Sequence, residues 1–66
     1  MTKKEQFILF CFENFRAYKQ MKGSDALAVF KKHNVFDYLN SGFEVLHTQG
    51  QNFLMNDINE YIQQRQ

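Results

Sequence analysis

His47 is the side chain in this sequence best suited to acid–base or ligand chemistry, because an imidazole titrates near neutral pH. As a general base it would need a nucleophile or an orienting carboxylate beside it, and sequence spacing identifies neither. The structural alternative is that the His47 ring is mostly buried and hydrogen-bonds a backbone carbonyl. Burial and capping habits favour this alternative, so we predict that His47 binds no metal.

The three residues after His47 are of the types expected where one helix ends and the next begins. Thr48 and Gln49 can bond the carbonyl and amide groups that a helix end leaves without partners. Gly50 allows the positive φ that such a turn can require. Together with Leu46 they form the segment Leu-His-Thr-Gln-Gly, whose role is either structural or that of a contact surface.

Cys11 is the only cysteine, so no internal disulfide can form. It shares a predicted helix face with Phe7, Ile8 and Phe15, where a thiol behaves as a small buried hydrophobe. A reactive thiolate would instead need exposure and a cationic neighbour. We therefore predict a buried, unreactive Cys11.

No other arrangement in the sequence points to catalysis or to cofactor binding. The soft or imidazole ligands are Cys11, His33 and His47, which lack the spacing of a zinc site. Neither a glycine-rich phosphate loop nor a nucleophile elbow occurs. Asp57 and Glu60 are expected to be solvated carboxylates on a helix surface. The sequence predicts a protein that is not an enzyme and that holds no cofactor or metal.

The elements that must position these residues are helices, since the 66-residue chain has no proline and only three glycines. Thr2 and Glu5 match a capping box that opens a first helix over residues 3–22, which Gly23 would end. Ser24 is the expected N-cap of a second helix over residues 25–33, and Asn34 its left-handed stop.

The third segment keeps one apolar phase, because one helix face would carry Val35, Phe36, Leu39, Phe43 and Leu46. Ser41 and Gly42 are weak helix formers, but the unbroken phase predicts a single helix over residues 35–48. A fourth helix begins at residue 51 or 52. The result is one compact all-α domain, residues 1–66, of four helices with short connections. The predicted inner faces of the first and last helices comprise Phe7, Ile8, Cys11, Phe15 and Tyr18, and Leu54, Met55, Ile58, Tyr61 and Ile62.

Charge and hydropathy restrict the partners of this domain. The formal net charge is +1, with Lys and Arg spread along the chain rather than gathered in one basic region. No apolar run approaches the roughly 20 residues of a membrane span. The apolar run at residues 7–12 lacks the cleavage site of a signal peptide. We predict a cytoplasmic protein without membrane contact.

A helix-turn-helix is the alternative interpretation of the second and third predicted helices, which meet at Asn34. The helix that would enter the DNA carries Asp37 and Glu44 and no Lys or Arg over residues 35–48. Because phosphate neutralisation supplies most basal DNA affinity, these charges disfavour nucleic acid as the partner.

Four segments of the sequence resemble the short bacterial family called domain of unknown function 3791. They are "EQFILFCFENF", "LAVFKKHNVFDYL", "FEVLHTQG" and "DINEYI", and they cover nearly the whole chain. Leu46 to Gly50 is the most specific part of the resemblance, and Asp57-Ile58 matches as well. The family has no assigned activity. Its genes are associated with neighbours resembling ADP-ribosyltransferase toxins, so the resemblance implies a small accessory or antitoxin-like partner of such a toxin.

Protein binding, to another protein or to a second copy of the chain, is therefore the expected function. The candidate partner surface consists of apolar residues away from the main inner faces: Leu9, Phe10, Tyr38 and Val45. Exposed apolar area that clusters in one place marks interaction sites.

Overall fold

The computed structural model describes residues 1–65 and contains five helices. They are α1 (Lys3–Tyr18), α2 (Gly23–Lys32), α3 (Val35–Ser41), α4 (Phe43–Leu46) and α5 (Gln51–Gln64). No strand occurs in this part of the chain. The predicted all-α class is confirmed: four of these helices have seven or more residues, and α4 is a single additional turn.

The two ends of α1 show one correct and one wrong prediction. At the start, the Thr2 hydroxyl accepts from the Glu5 amide at 3.1 Å and a Glu5 carboxylate oxygen accepts from the Thr2 amide at 2.7 Å. This capping box confirms the predicted start. The helix ends at Tyr18, four residues before the predicted end, because Gln20 rather than Gly23 takes the left-handed conformation, with φ of 54°.

The stop at Gln20 is a Schellman motif. The Gln20 amide donates to the carbonyl of Ala17 at 3.1 Å, and the Met21 amide donates to the carbonyl of Arg16 at 2.9 Å. These are the paired backbone bonds by which a helix end satisfies its last carbonyls. Tyr18, which we assigned to the inner face of the helix, is exposed.

α2 begins earlier than predicted and ends close to the predicted residue. Lys22 is its N-cap without a side-chain hydrogen bond, so Ser24 lies inside the first turn and the predicted N-cap is wrong. His33 is the C-cap, and Asn34 follows with φ of 57°. The predicted left-handed stop at Asn34 is confirmed.

The predicted third helix is divided at Gly42 into α3 and α4. The Gly42 amide still bonds the Tyr38 carbonyl, and the Gly42 carbonyl accepts from the Leu46 amide at 2.8 Å. The apolar phase survives this bend, since Leu39 and Leu46 are both buried. A Cβ atom on Gly42 would lie 2.8 Å from Cδ1 of Leu46, so the bend brings the backbone closer to Leu46 than a side chain allows. The prediction of one continuous helix was wrong.

α5 begins at the predicted residue, with Gly50 as its N-cap. Gly50 has φ of −74° and ψ of 164°, an extended conformation, so the positive φ considered for it is not used. α5 buries the predicted apolar residues Leu54, Met55, Ile58 and Ile62, and Tyr61 is half-buried.

The core lies where α1 packs against α2, α3 and α5. Its centre is an aromatic group in which Phe30 contacts the rings of Phe12, Phe15 and Phe36 with centroid distances of 5.1–5.4 Å. Large rings bury much area per residue, which suits so short a chain. None of the helices formed by residues 1–65 combines the length and the hydropathy of a membrane span.

Candidate functional site

The structure places His47 on the surface, directly after the last residue of α4. Its Nδ1 lies 2.6 Å from the carbonyl oxygen of Phe43, and the two rings stack with a centroid distance of 4.3 Å. Because a carbonyl oxygen only accepts, Nδ1 is the donor of this hydrogen bond. The predicted backbone bond is confirmed. The predicted burial is wrong, because Leu46 takes the inward position of this single turn.

The rest of the Leu46 to Gly50 segment connects α4 to α5. The Thr48 hydroxyl donates to the Val45 carbonyl at 2.8 Å, and the Gln49 amide donates to the Leu46 carbonyl at 3.1 Å. The Gly50 carbonyl accepts from Leu54, the first such bond of α5. These contacts satisfy the end of one helix and start the next. His47, Thr48, Gln49 and Gly50 nevertheless remain exposed, so they are also accessible to a partner.

Cys11 is fully buried in the core, as predicted. Burial raises the pKa of its thiol to about 12, so the thiol is protonated at neutral pH. A Cys11–His47 pair is therefore not formed, since Cys11 is enclosed and His47 is exposed. Over residues 1–65, no group of three His, Cys, Asp or Glu side chains is arranged to hold a metal ion.

The four residues of the candidate partner surface do not have the same environment. Leu9, Phe10 and Val45 are exposed, with 46%, 44% and 68% of their surface accessible. Tyr38 is half-buried and stacks on Tyr61 at a centroid distance of 4.0 Å. Tyr38 therefore belongs to the contact between α3 and α5, and the assignment of Tyr38 to an outward-facing surface is corrected.

Leu9 borders an apolar groove between α1 and α3. The groove has a volume of about 260 Å³ and is lined by Ile8, Leu9, Phe12 and Phe36, with Glu5 at one end. Phe12 and Phe36 stack at 6.2 Å, and both rings rest on Phe30 in the core. The groove is thus an opening onto the aromatic core.

Sequence reasoning missed this groove because it assigned Ile8 and Phe36 to the inner faces, where both are only half-buried. Helix periodicity shows which side of a helix is apolar, but it does not show where neighbouring helices leave that side uncovered. The sequence feature that could have indicated the groove is the spacing of Glu5, Leu9 and Phe12, which places them along one side of the helix.

A polar cluster between α3 and α5 was also missed. The Tyr38 hydroxyl donates to Oδ2 of Asp57 at 2.5 Å, and the guanidinium of Arg65 lies 5.2 Å from the Tyr61 ring centroid. Burial, and then the hydrogen bond to Asp57, raise the pKa of Tyr38 to about 12. Asp57 therefore fixes the position of Tyr38, whereas the sequence indicated only a solvated carboxylate. Residues 19 positions apart carry no sequence signal of this pairing.

A cleft between α1 and α5 is lined mainly by side-chain amides and has a volume of about 560 Å³. Gln51 Nε2 donates to Asn14 Oδ1 at 2.6 Å, and Asn14 Nδ2 donates to the Phe10 carbonyl at 2.7 Å. This chain of bonds joins the start of α5 to the middle of α1. The side-chain amides of Asn14 and Gln51 are thus used within the domain.

Comparison with known proteins identifies a family and nothing more specific. No curated protein and no solved structure matches the chain. The family model described as "Protein of unknown function (DUF3791)" matches residues 6–65, which include all of α2 to α5 and most of α1. The chain belongs to this family.

Proposed function

We propose that this protein acts by binding another polypeptide through the apolar groove between α1 and α3. One observation carries the proposal: Leu9 stands half-exposed beside a concave apolar floor formed by Phe12 and Phe36. Single exposed apolar residues are normal on a protein surface, whereas a contiguous apolar depression marks a site of interaction. The role is one of binding rather than catalysis.

The finer role we propose is that of an accessory or antitoxin-like partner of a toxin resembling an ADP-ribosyltransferase. Its support is the family resemblance and the gene association that comes with it. In this role the toxin would place apolar side chains in the groove. The exposed segment from His47 to Gly50 is a second surface for a partner, and none of its residues lines the groove.

DNA binding by α2 and α3 is the alternative function. Its support is the left-handed turn at Asn34 that joins the two helices. Against it, α3 has only seven residues and carries Asp37 without a Lys or Arg. We propose that duplex DNA is not bound at physiological salt, where phosphate contacts dominate affinity.

Sedimentation velocity with the product of the neighbouring gene tests the groove. Wild type is expected to sediment with that product as one complex, and Leu9→Glu is expected to abolish the complex by placing a charge in the groove. Phe53→Glu on α5 is the matched control, because Phe53 is 50% exposed and lies on a helix that does not line the groove.

Equal binding by both variants would contradict a role for the groove. A wild type that ignores the gene product but shifts a DNA duplex in a gel would favour the alternative. Circular dichroism of each variant shows whether the domain remains folded. Adding Phe10→Glu to Leu9→Glu extends the test to the neighbouring exposed ring.

A further inference from the structure

The flank of α1 that borders the groove carries a stripe with opposite charges at its two ends. Glu5, Leu9, Phe12 and Arg16 are spaced by four, three and four residues, which places them within about 60° of one another around the helix. Glu5 and Arg16 are separated by roughly 16 Å along the axis, with the two apolar residues between them. The stripe is thus apolar in the middle, acidic at one end and basic at the other.

Both charged groups are available for a contact outside the chain. Glu5 uses Oε1 in the capping box, which leaves its other oxygen to accept a further bond. The guanidinium of Arg16 lies 3.9 Å from Glu13, and 42% of the Arg16 side chain is exposed. A contact at that distance and exposure is weak, so Arg16 keeps donors for another carboxylate.

We propose that a second copy of this chain covers the groove, with the two α1 helices antiparallel about a two-fold axis. A two-fold axis requires that any contact from one residue to another be repeated in reverse. With the axis passing between Phe10 and Cys11, Glu5 faces the partner's Arg16 and Leu9 faces the partner's Phe12. In this arrangement each of the four residues of the stripe faces a residue of opposite charge or of apolar character. The proposed dimer rests on the groove being an interaction site, as in the proposed function.

The two-fold arrangement also fills the groove. Leu9 of the second copy enters beside Phe12 and Phe36, and the reverse contact fills the groove of the second copy. A contact between single helices is smaller than a typical stable interface. The dimer is therefore expected to dissociate and re-form readily, with a dimer fraction that rises with protein concentration. The second copy thus competes with any other polypeptide for the groove, and the groove is open to that polypeptide whenever the dimer dissociates.

Charge reversal tests the geometry. Glu5→Arg and Arg16→Glu each place like charges at both ends of the interface, so the dissociation constant of each single variant is expected to rise at least tenfold. A mixture of the two variants restores opposite charges at both ends, so a heterodimer of wild-type affinity should form. Sedimentation equilibrium over a concentration series measures the dissociation constants of the two single variants and of their mixture. One variant in the mixture carries a fluorescent label.

Two further variants separate association from folding. Glu5→Gln keeps a side chain that can form the capping box but removes the charge, and it should weaken the dimer less than Glu5→Arg. Glu44→Arg on α4 reverses an exposed charge away from the stripe and should leave the dissociation constant unchanged.

A wild type that is monomeric at every concentration would overturn the proposed dimer. The proposed function would still stand in that case, provided that Leu9→Glu abolishes binding of the gene product. A wild-type dimer whose charge-reversed variants fail to pair with each other would overturn the antiparallel arrangement. Preferential pairing of Glu5→Arg with wild type would also overturn the antiparallel arrangement. It would indicate parallel helices, in which Glu5 faces the partner's Glu5.

Discussion

Two polar side chains, His47 and Asp57, form hydrogen bonds that hold neighbouring parts of this domain in place. His47, the best candidate for chemistry, stacks on Phe43 and bonds its carbonyl. Asp57, a plain surface carboxylate by sequence, accepts the hydroxyl of Tyr38. The chemistry of a side chain is read from its type, but its role depends on neighbours that only the packed helices bring to it.

Replacing His47 with Ala should lower the free energy of unfolding by less than about 1 kcal/mol, the net worth of an exposed hydrogen bond and a ring contact. Urea denaturation measures this change. Thr48→Val is the companion variant, because it removes the hydroxyl bond to the Val45 carbonyl from the same turn. A loss well above 2 kcal/mol for His47→Ala would contradict the exposed position of the ring.

Replacing Tyr38 with Phe removes the bond to Asp57 and should cost about 1–2 kcal/mol. The pKa of Tyr38 is raised from the usual 10.0 to about 12, so the folded state holds the phenolic proton more tightly than the unfolded state. The contribution of this proton to stability is therefore complete below pH 10 and is lost as the pH rises towards 12.

Urea midpoints of wild type and Tyr38→Phe over this alkaline range test the prediction, and their difference should shrink as the pH rises. Tyr18→Phe is the control, because it removes the hydroxyl of an exposed tyrosine. If the difference between the urea midpoints of wild type and Tyr38→Phe stays constant up to pH 12, the bond to Asp57 does not hold the phenolic proton of Tyr38.

At the scale of helices, local signals gave the starts and stops that short-range chemistry determines. The Thr2–Glu5 capping box and the left-handed Asn34 were predicted correctly, since both depend on residues within one turn. The stop at Gln20 was not predictable, because Gly23 is the stronger stop by residue type. The division at Gly42 was missed because a bend of one residue leaves the apolar phase unchanged.

The Schellman motif predicts that Gln20→Gly stabilises the domain. A residue with a side chain loses about 1–2 kcal/mol in the left-handed conformation, and glycine does not. Glycine also gains freedom in the unfolded chain, so the net increase in the free energy of unfolding should be about 0.5–1 kcal/mol. Thermal denaturation measures it. Lys19→Gly is the control, because Lys19 has φ of −90° and glycine there should destabilise.

The close approach at Gly42 predicts that Gly42→Ala destabilises by about 1 kcal/mol. The new methyl would lie 2.8 Å from Cδ1 of Leu46 and 3.2 Å from the carbonyl oxygen of Tyr38, and the required shifts outweigh the better helix propensity of alanine. Gly50→Ser is the matched change. The structure leaves open space there, and serine would give α5 the side-chain N-cap that it lacks. Serine at residue 50 should therefore be neutral or stabilising, and a large loss of stability would show that the segment needs glycine for another reason.

At the scale of the whole molecule, a chain of this size has little surface with which to stabilise itself. A 66-residue domain buries roughly 60% of the surface that its unfolded chain exposes, so its stability is modest. With one cysteine, it has no internal disulfide to add to its packing. The proposed association would add to this stability, so the exposed groove would have a consequence for stability as well as for recognition.

If two copies pair, the melting temperature of wild type should rise with protein concentration, because association stabilises the folded state by mass action. Leu9→Glu should melt at one temperature across the series. Calorimetry at several concentrations distinguishes the two behaviours, with Phe53→Glu as a control at an exposed residue of α5 outside the groove. A wild-type melting temperature independent of concentration would contradict self-association.

The enclosed Cys11 has a practical consequence for the whole domain. As the chain's one thiol, fully shielded and protonated at neutral pH, it is open to alkylation only when the helices around it separate. When reclosing outpaces the reagent, the labelling rate is proportional to the population of the open form. Mass spectrometry after a timed pulse of iodoacetamide would then rank variants by opening free energy in a mixture, without purification, a dye or an engineered probe.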